Sequence, residues 1–240
     1  MSEKQSNMVF VAGATGYVGQ AVVRRLRELD IPTVAHVRPD SARLTHWRDI
    51  FGALGAEVDT TPWGTAEMGS MFASRRPSVI FILLGTTRKR MQQPGVKKED
   101  TDYMAVDYGL TKMVIDAAHR AGIKPRLVYL SAIGASPRSR TAYGKARYLA
   151  ERAVIEAGMP YTIAQPSFIT GKDRDEKRTS EYYGAKLIDG ALAVVGSFGA
   201  RLLREKYRST TATRLARRLV ELALDANAAD SVFTSDQLQD

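Results

Sequence analysis

Short runs of apolar, β-branched residues alternate along the chain with longer stretches in which apolar side chains recur every three or four positions. The runs 8–12, 33–37, 57–60, 78–84, 126–131 and 161–164 predict strands, because β-branched and aromatic residues suit a pleated backbone. The stretches 17–29, 42–53, 65–73, 102–121 and 142–157 predict amphipathic helices with one apolar stripe each. A further helix is expected over 210–226, with Leu215, Leu219, Leu222 and Ala223 towards the core and Arg217 and Arg218 towards water. Strands alternating with helices imply parallel pairing through right-handed crossovers. The unbroken run Val79-Ile80-Phe81-Ile82-Leu83-Leu84 suits a strand covered on both faces. The expected fold class is therefore α/β, a doubly wound parallel sheet of the Rossmann type. No repeat or low-complexity linker divides the chain, so residues 1–240 read as one domain, with 166–240 contributing a smaller, substrate-capping lobe.

Composition narrows the chemistry. With 240 residues and 44% apolar side chains, the chain is long enough to bury a large core. Cys 0 excludes a disulfide, a thiolate nucleophile and a Cys-based zinc site. The three His, at 36, 46 and 119, share no ligand spacing, so no metal is expected. Lys+Arg 35 against Asp+Glu 26 leaves +9, concentrated around 88–98 and 201–218. Such an excess suits nucleic acid, an anionic surface or a polyanionic cofactor. The loop 88–98 holds no aromatic side chain on which a base could stack, so nucleic acid is not expected; it reads as a flap over the crevice or as a solvated loop. The polar opening residues lack the pattern of a secretory leader, which leads to an expected cytoplasmic location. The apolar stretch 187–200 is too short and interrupted to span a bilayer. Met68, Met71 and Phe72 read as core.

The first chemical motif is Gly13-Ala14-Thr15-Gly16-Tyr17-Val18-Gly19, running from a strand into a helix. Gly13 allows the sharp turn, Gly16 lets backbone approach a pyrophosphate, and Gly19 lets helix and strand pack closely; Thr15, Tyr17 and Val18 line the same contact. A dinucleotide is the expected ligand. Its type is read at the end of the second strand, where an acid binds a ribose 2′-hydroxyl and an arginine accepts a 2′-phosphate. Val34-Ala35-His36-Val37-Arg38 carries no acid there, so Arg38, with Arg43 nearby, points to NADP(H) in preference to NAD(H). The second motif is Ser131 at the end of the fifth strand with Tyr143, Lys145 and Arg147 opening the next helix. Tyr143 and Arg147 share a helix face; Lys145 points elsewhere.

The glycine loop, the strand-end Ser and the helical Tyr together resemble an extended or atypical short-chain dehydrogenase/reductase. Leu84-Gly85-Thr86-Thr87-Arg88, Val106-Asp107-Tyr108, Leu130-Ser131-Ala132-Ile133-Gly134-Ala135 and Gln165-Pro166-Ser167-Phe168 resemble the Tat-interacting-protein branch of NADPH-binding oxidoreductases. The resemblance implies that Tyr143 exchanges a proton with a substrate carbonyl, that Ser131 hydrogen-bonds the same oxygen, and that position 147 supports Tyr143 and holds nicotinamide ribose. It also implies cofactor contacts at Gly85, Thr86 and Thr87 and at Pro166, Ser167, Phe168 and Ile169. The chain departs from the family's Tyr-x-x-x-Lys signature, since position 147 is Arg, a planar and permanently charged fork. Two functions stay open: an NADPH-dependent reductase acting on an unidentified small molecule, or a catalytically weak NADPH-binding regulatory protein. Either is expected as a monomer or a homodimer.

Overall fold

The computed structural model describes residues 7–86, 102–167, 169–170 and 210–239. In chain order the elements are β1 (Val9–Ala12), α1 (Tyr17–Glu28), β2 (Thr33–His36), α2 (Leu44–Ala53), β3 (Glu57–Asp59), α3 (Thr65–Arg75), β4 (Val79–Ile82), a π-turn (Met104–Gly109) leading into α4 (Leu110–Arg120), β5 (Arg126–Leu130), α5 (Ala142–Ile155), β6 (Tyr161–Gln165), the short pair β7 (Ile169–Thr170) and β8 (Thr210–Thr211), α6 (Ala212–Leu224) and β9 (Ser231–Thr234). Seven strands form one sheet in the order β3-β2-β1-β4-β5-β6-β9, and every adjacent pair is parallel. The expected doubly wound Rossmann sheet is thus observed.

Two cores lie on opposite faces of this sheet because successive residues of a strand point to opposite sides. Val9, Val11, Val79 and Phe81 pack with α1, α2 and α6, whereas Phe10, Ala12, Ile80 and Ile82 pack with α3, α4 and α5. This double covering explains why β1 and β4 are apolar at every position. The helices carry the matching stripes: Val22, Val23 and Leu26 of α1 are fully buried, as are Met68 and Phe72 of α3. Leu215, Leu219, Leu222 and Ala223 of α6 are buried and Arg217 is exposed, as the periodicity predicts.

Three strands escaped the sequence reading, the short β7 and β8 and, in the main sheet, β9. β9 pairs with β6 from Thr162↔Ser231 to Gln165↔Thr234, and its residues alternate between half-buried and exposed. Arg126 ties the crossover together, donating to Thr162 Oγ1 and to the carbonyls of Ala223 (3.3 Å) and Asp225 (2.5 Å) at the end of α6. Of the residues assigned in advance to a smaller lobe, α6 and β9 belong to the main layers, and β7 pairs with β8 outside the main sheet. The segments 88–98 and 187–200 lie outside the described residues. No helix among the described residues is long and apolar enough to cross a membrane.

Candidate functional site

In a sheet of this order the connections leave β1 and β4 in opposite directions, opening a crevice beyond their carboxyl ends. The glycine loop stands on one side of it. Gly13 adopts φ 86°, and a Cβ there would lie 2.6 Å from the Leu83 carbonyl oxygen at the end of β4. A Cβ on Gly19 would lie 2.1 Å from the Gly13 carbonyl oxygen, so only glycine lets α1 start this close to the turn. Gly16 caps α1, is exposed, and donates its N–H to Gly13 O at 3.0 Å. The first turn of α1 receives no side-chain cap and holds no acid. Its N–H groups and the positive end of the helix dipole are therefore available to an anion. Val18 is buried, while Thr15 and Tyr17 are half-buried at the loop rim. These features fit a dinucleotide pyrophosphate.

At the adjoining end of β2, Arg38 is partly exposed and lies 3.4 Å from Asp40. Arg43 instead stacks over Trp47, its guanidinium carbon 4.9 Å from the ring centre, and contacts His46. His36 is buried between Phe10 and Trp63, with its ring 4.1 Å from that of Trp63 and its Nε2 2.8 Å from the Thr61 carbonyl. Burial lowers its pKa, against opposing pulls from the Thr61 carbonyl and Asp59. It serves as packing at the strand end.

The other side of the crevice is assembled from β4, the π-turn, β5 and α5. Arg147, one turn into α5 from Tyr143, sends its guanidinium inwards. It lies 2.9 Å from Asp107 Oδ1 and donates through Nη1 to the Tyr129 hydroxyl (3.1 Å) and the Leu130 carbonyl (2.6 Å). Asp107 is fully buried; its other carboxylate oxygen accepts the Thr86 N–H at 3.1 Å, and its carbonyl accepts Thr111 Oγ1 at 2.7 Å. Burial raises the Asp107 pKa, and Arg147 and the Thr86 N–H oppose that rise. Tyr129, buried in the same network, is pushed up to about 12 mainly by desolvation. Gly85 makes the pair possible: a Cβ on it would lie 2.6 Å from Arg147 Nη2. The widened helical turn at Met104–Gly109 brings Asp107 to this position, an arrangement common at functional sites.

Tyr143 is half-buried. The Arg147 guanidinium lies over its ring face, 5.2 Å from the centre, and Tyr103 meets its ring at a similar distance, edge to face. Arg147 thus reaches the ring of Tyr143, while its hydrogen bonds go to Tyr129 and Leu130. Lys145 is exposed on the opposite side of α5. Ser131 is buried at 4% exposure, and its Oγ makes no full hydrogen bond. Thr86 Oγ1 and Arg147 Nε are buried in the same unsatisfied state, whereas Asp107 Oδ1 has the Arg147 guanidinium as its ion partner. Buried polar atoms are seldom left so. Three of them around the carboxyl ends of β4 and β5 fit a polar ligand group such as a ribose or a carboxamide.

After β6, Pro166 is buried and its carbonyl accepts the Ile133 N–H at 2.9 Å. Ser167 is held by Ser235, whose Oγ accepts the Ser167 N–H and donates to its hydroxyl at 2.9 Å. Ile169 pairs with Thr210 in the short second sheet. Thr87 and Phe168 lie outside the described residues. The structure therefore gathers Ser131, Tyr143, Arg147, Gly85 and Thr86 at one end of the crevice and the glycine loop at the other, with Arg38 at the rim beyond β2. Sequence reading gave no role to Asp107, Tyr129, Glu151 or Ser235. For Glu151 a signal existed, since 143, 147 and 151 follow one another at four-residue steps.

Residues 13–206 match a family described as NAD(P)H-binding, and the chain belongs to it. A relative from Coccidioides immitis (strain RS), named Protein FMP52, mitochondrial, is 27% identical over 229 residues, covering 90% of this chain and 85% of the relative. An NAD(P)H azoreductase from Xenophilus azovorans is 31% identical over 166 residues, 67% of this chain and 48% of that protein. Among solved structures, a putative NAD-dependent epimerase/dehydratase from Bacillus halodurans superimposes with a TM-score of 0.64 at 18% identity, covering 96% of this chain and 97% of that one. These matches agree with the resemblance to atypical NAD(P)-binding oxidoreductases. They overturn the cytoplasmic location expected from the opening residues, because the relative matched along most of the chain is named mitochondrial.

Proposed function

We propose that this member of the NAD(P)H-binding family is an NADP(H)-dependent reductase of a small carbonyl or related acceptor. The observation that carries the reading is the group of unsatisfied buried polar atoms, Thr86 Oγ1, Ser131 Oγ and Arg147 Nε, beside Tyr143. On this reading the glycine loop holds the pyrophosphate, Arg38 accepts the 2′-phosphate that distinguishes NADPH, and Gly85, Thr86 and the strand-end residues Pro166, Ser167 and Ile169 border the rest of the dinucleotide, with Thr87 and Phe168 assigned by sequence alone. The bound nicotinamide supplies a hydride. Ser131 donates to the acceptor oxygen and holds it in place, and the Tyr143 hydroxyl gives that oxygen a proton. Arg147 acts through position and charge: it fixes α5 against β5 and keeps a cation beside the Tyr143 ring.

Titration of the purified protein with NADPH and NADH, followed by nicotinamide fluorescence, tests the cofactor. Arg38→Ala is expected to weaken NADPH by about tenfold or more and to leave NADH unchanged. Equal affinities in the wild type would end the NADP(H) assignment. Tyr143→Phe is then expected to bind NADPH normally and to lose its oxidation by a panel of carbonyls and quinones. One observation favours a second reading, a regulatory NADPH-binding protein: the Arg147 hydrogen bonds are already taken by Tyr129 and Leu130, with Asp107 as ion partner, where the related signature has a lysine. A wild type that binds NADPH tightly and turns over no acceptor would decide for it.

A further inference from the structure

Behind Ser131 lies a buried carboxyl that hydride transfer as outlined does not use. Tyr143, Arg147 and Glu151 follow one another along the face of α5 turned towards the strands, and Glu151 is 7% exposed. Its Oε1 accepts Gln165 Nε2 at 2.8 Å from the end of β6. Ser131, at the end of β5, donates its N–H to the Ala164 carbonyl at 2.8 Å, next in the chain to the Gln165 that holds Glu151, and lies against the same carboxyl without closing a full hydrogen bond, so its Oγ stays unsatisfied. A buried carboxyl is costly unless it is partnered, and Gln165 meets only part of its capacity. A serine hydroxyl has a single proton, so whichever neighbour takes that proton decides what Ser131 can offer to the crevice.

We propose that Glu151 is a positioning residue that sets the hydrogen-bond polarity of Ser131. As the neutral acid it donates its O–H to Ser131 Oγ and frees the serine proton for an acceptor oxygen in the crevice. As the carboxylate it draws the serine proton back, and Ser131 then presents only lone pairs. No proton is consumed in this pair; the proton added to the acceptor still comes from Tyr143. The inference rests on the reading of Ser131 as the group that meets the acceptor oxygen. The groups that act on Glu151 are Arg147 from its own helix, Ser131 beyond β5 and Gln165 on β6; Asp107 and Tyr129 are bound to Arg147. Burial is the largest influence and raises the Glu151 pKa, while Ser131, Gln165 and Arg147 each lower it. Carbonyl reduction is therefore expected to run on the protonated form and to weaken as pH rises.

The test uses the whole chain labelled with ¹³C-glutamate, the Glu151 carboxyl signal being identified by its loss in Glu151→Gln. In the wild type its titration midpoint is expected above the ordinary glutamate range. In Ser131→Ala it moves up further, because the serine no longer favours the charged form. A midpoint in the ordinary range, or one indifferent to Ser131→Ala, overturns the proposal. The second measurement is NADPH-dependent reduction of 9,10-phenanthrenequinone. Above the midpoint, wild-type kcat/KM is expected to fall about tenfold per pH unit, and Glu151→Gln, whose amide N–H cannot ionise, to lose that falling limb. A limb that persists in Glu151→Gln overturns the proposal as well. A wild type that binds NADPH but reduces no quinone sinks the reductase reading alone, and the carboxyl titration then judges the Glu151 and Ser131 coupling by itself.

Discussion

Around the glycine loop the crevice is made of backbone, whereas around Ser131 it is made of buried polar side chains. Gly13, Gly16 and Gly19 work by leaving space, and the groups they expose are the N–H donors of α1. At the other end, Asp107, Tyr129, Arg147 and Glu151 are packed into the protein with few spare partners. The contrast teaches that one fold can prepare for a ligand in two ways. Backbone donors do not titrate and are indifferent to pH, while a cluster of buried ionisable groups is costly to hold and responds to protons.

The most damaging way to break this comparison is Asp107→Ala, which leaves the Arg147 guanidinium buried without its counter-charge. Removing one partner of a buried pair costs about 3–5 kcal/mol, so the thermal midpoint should fall on the order of 10 °C in a calorimetric scan. A loss below about 1 kcal/mol would mean that the pair is not integral to the fold. Gly19→Val strikes the other end. A side chain directed at the Gly13 carbonyl must displace the loop, and NADPH affinity is expected to drop at least about hundredfold, equally across pH, by fluorescence titration. A pH-dependent defect would contradict the assignment of this end to backbone alone.

Arg147→Lys is a subtler probe. An ammonium on a flexible stem cannot reproduce the fork that spans Asp107, Tyr129 and Leu130, so urea unfolding should show a loss of about 1–3 kcal/mol. If the lysine variant gained turnover while losing stability, Arg147 would be the reason for weak chemistry in the native chain. The smallest effect is expected from Glu151→Gln. Because the folded-state pKa of Glu151 is raised, its protonated form is the one the fold favours. The stability it contributes is complete below the unfolded glutamate pKa and is lost as pH rises through the folded value. Replacement by glutamine should flatten that decline, read from denaturation midpoints at several pH values.

Much of this architecture is written in local pattern. β1 and β4 are apolar throughout because both faces are covered, and the glycine spacing announces the turn after β1 without any knowledge of distant residues. The polar end is written differently. Asp107 belongs to a stretch, 102–121, whose periodicity reads as one regular helix; the π-turn at Met104–Gly109 shifts the helical phase, so the face that Asp107 occupies cannot be counted from the apolar positions of α4. Its partners come from α5, β5 and the residues after β4, and only the folded chain brings them together. β9 was illegible for a plainer reason. It holds four residues at the sheet margin, with Val232 41% exposed, and lacks the apolar run that marks a central strand. Ser235 gains its role only because β9 delivers it beside Ser167.

The packing of α1 against α6 joins residues that lie almost the full length of the chain apart. During synthesis from the N-terminus, the helix that follows the glycine loop emerges early and waits, one flank uncovered, until Ala212–Leu224 leaves the ribosome. Completion of this face of the core is thus a late event in the life of each new molecule, and a chain arrested upstream of α6 would carry α1 without the apolar partner that covers that flank.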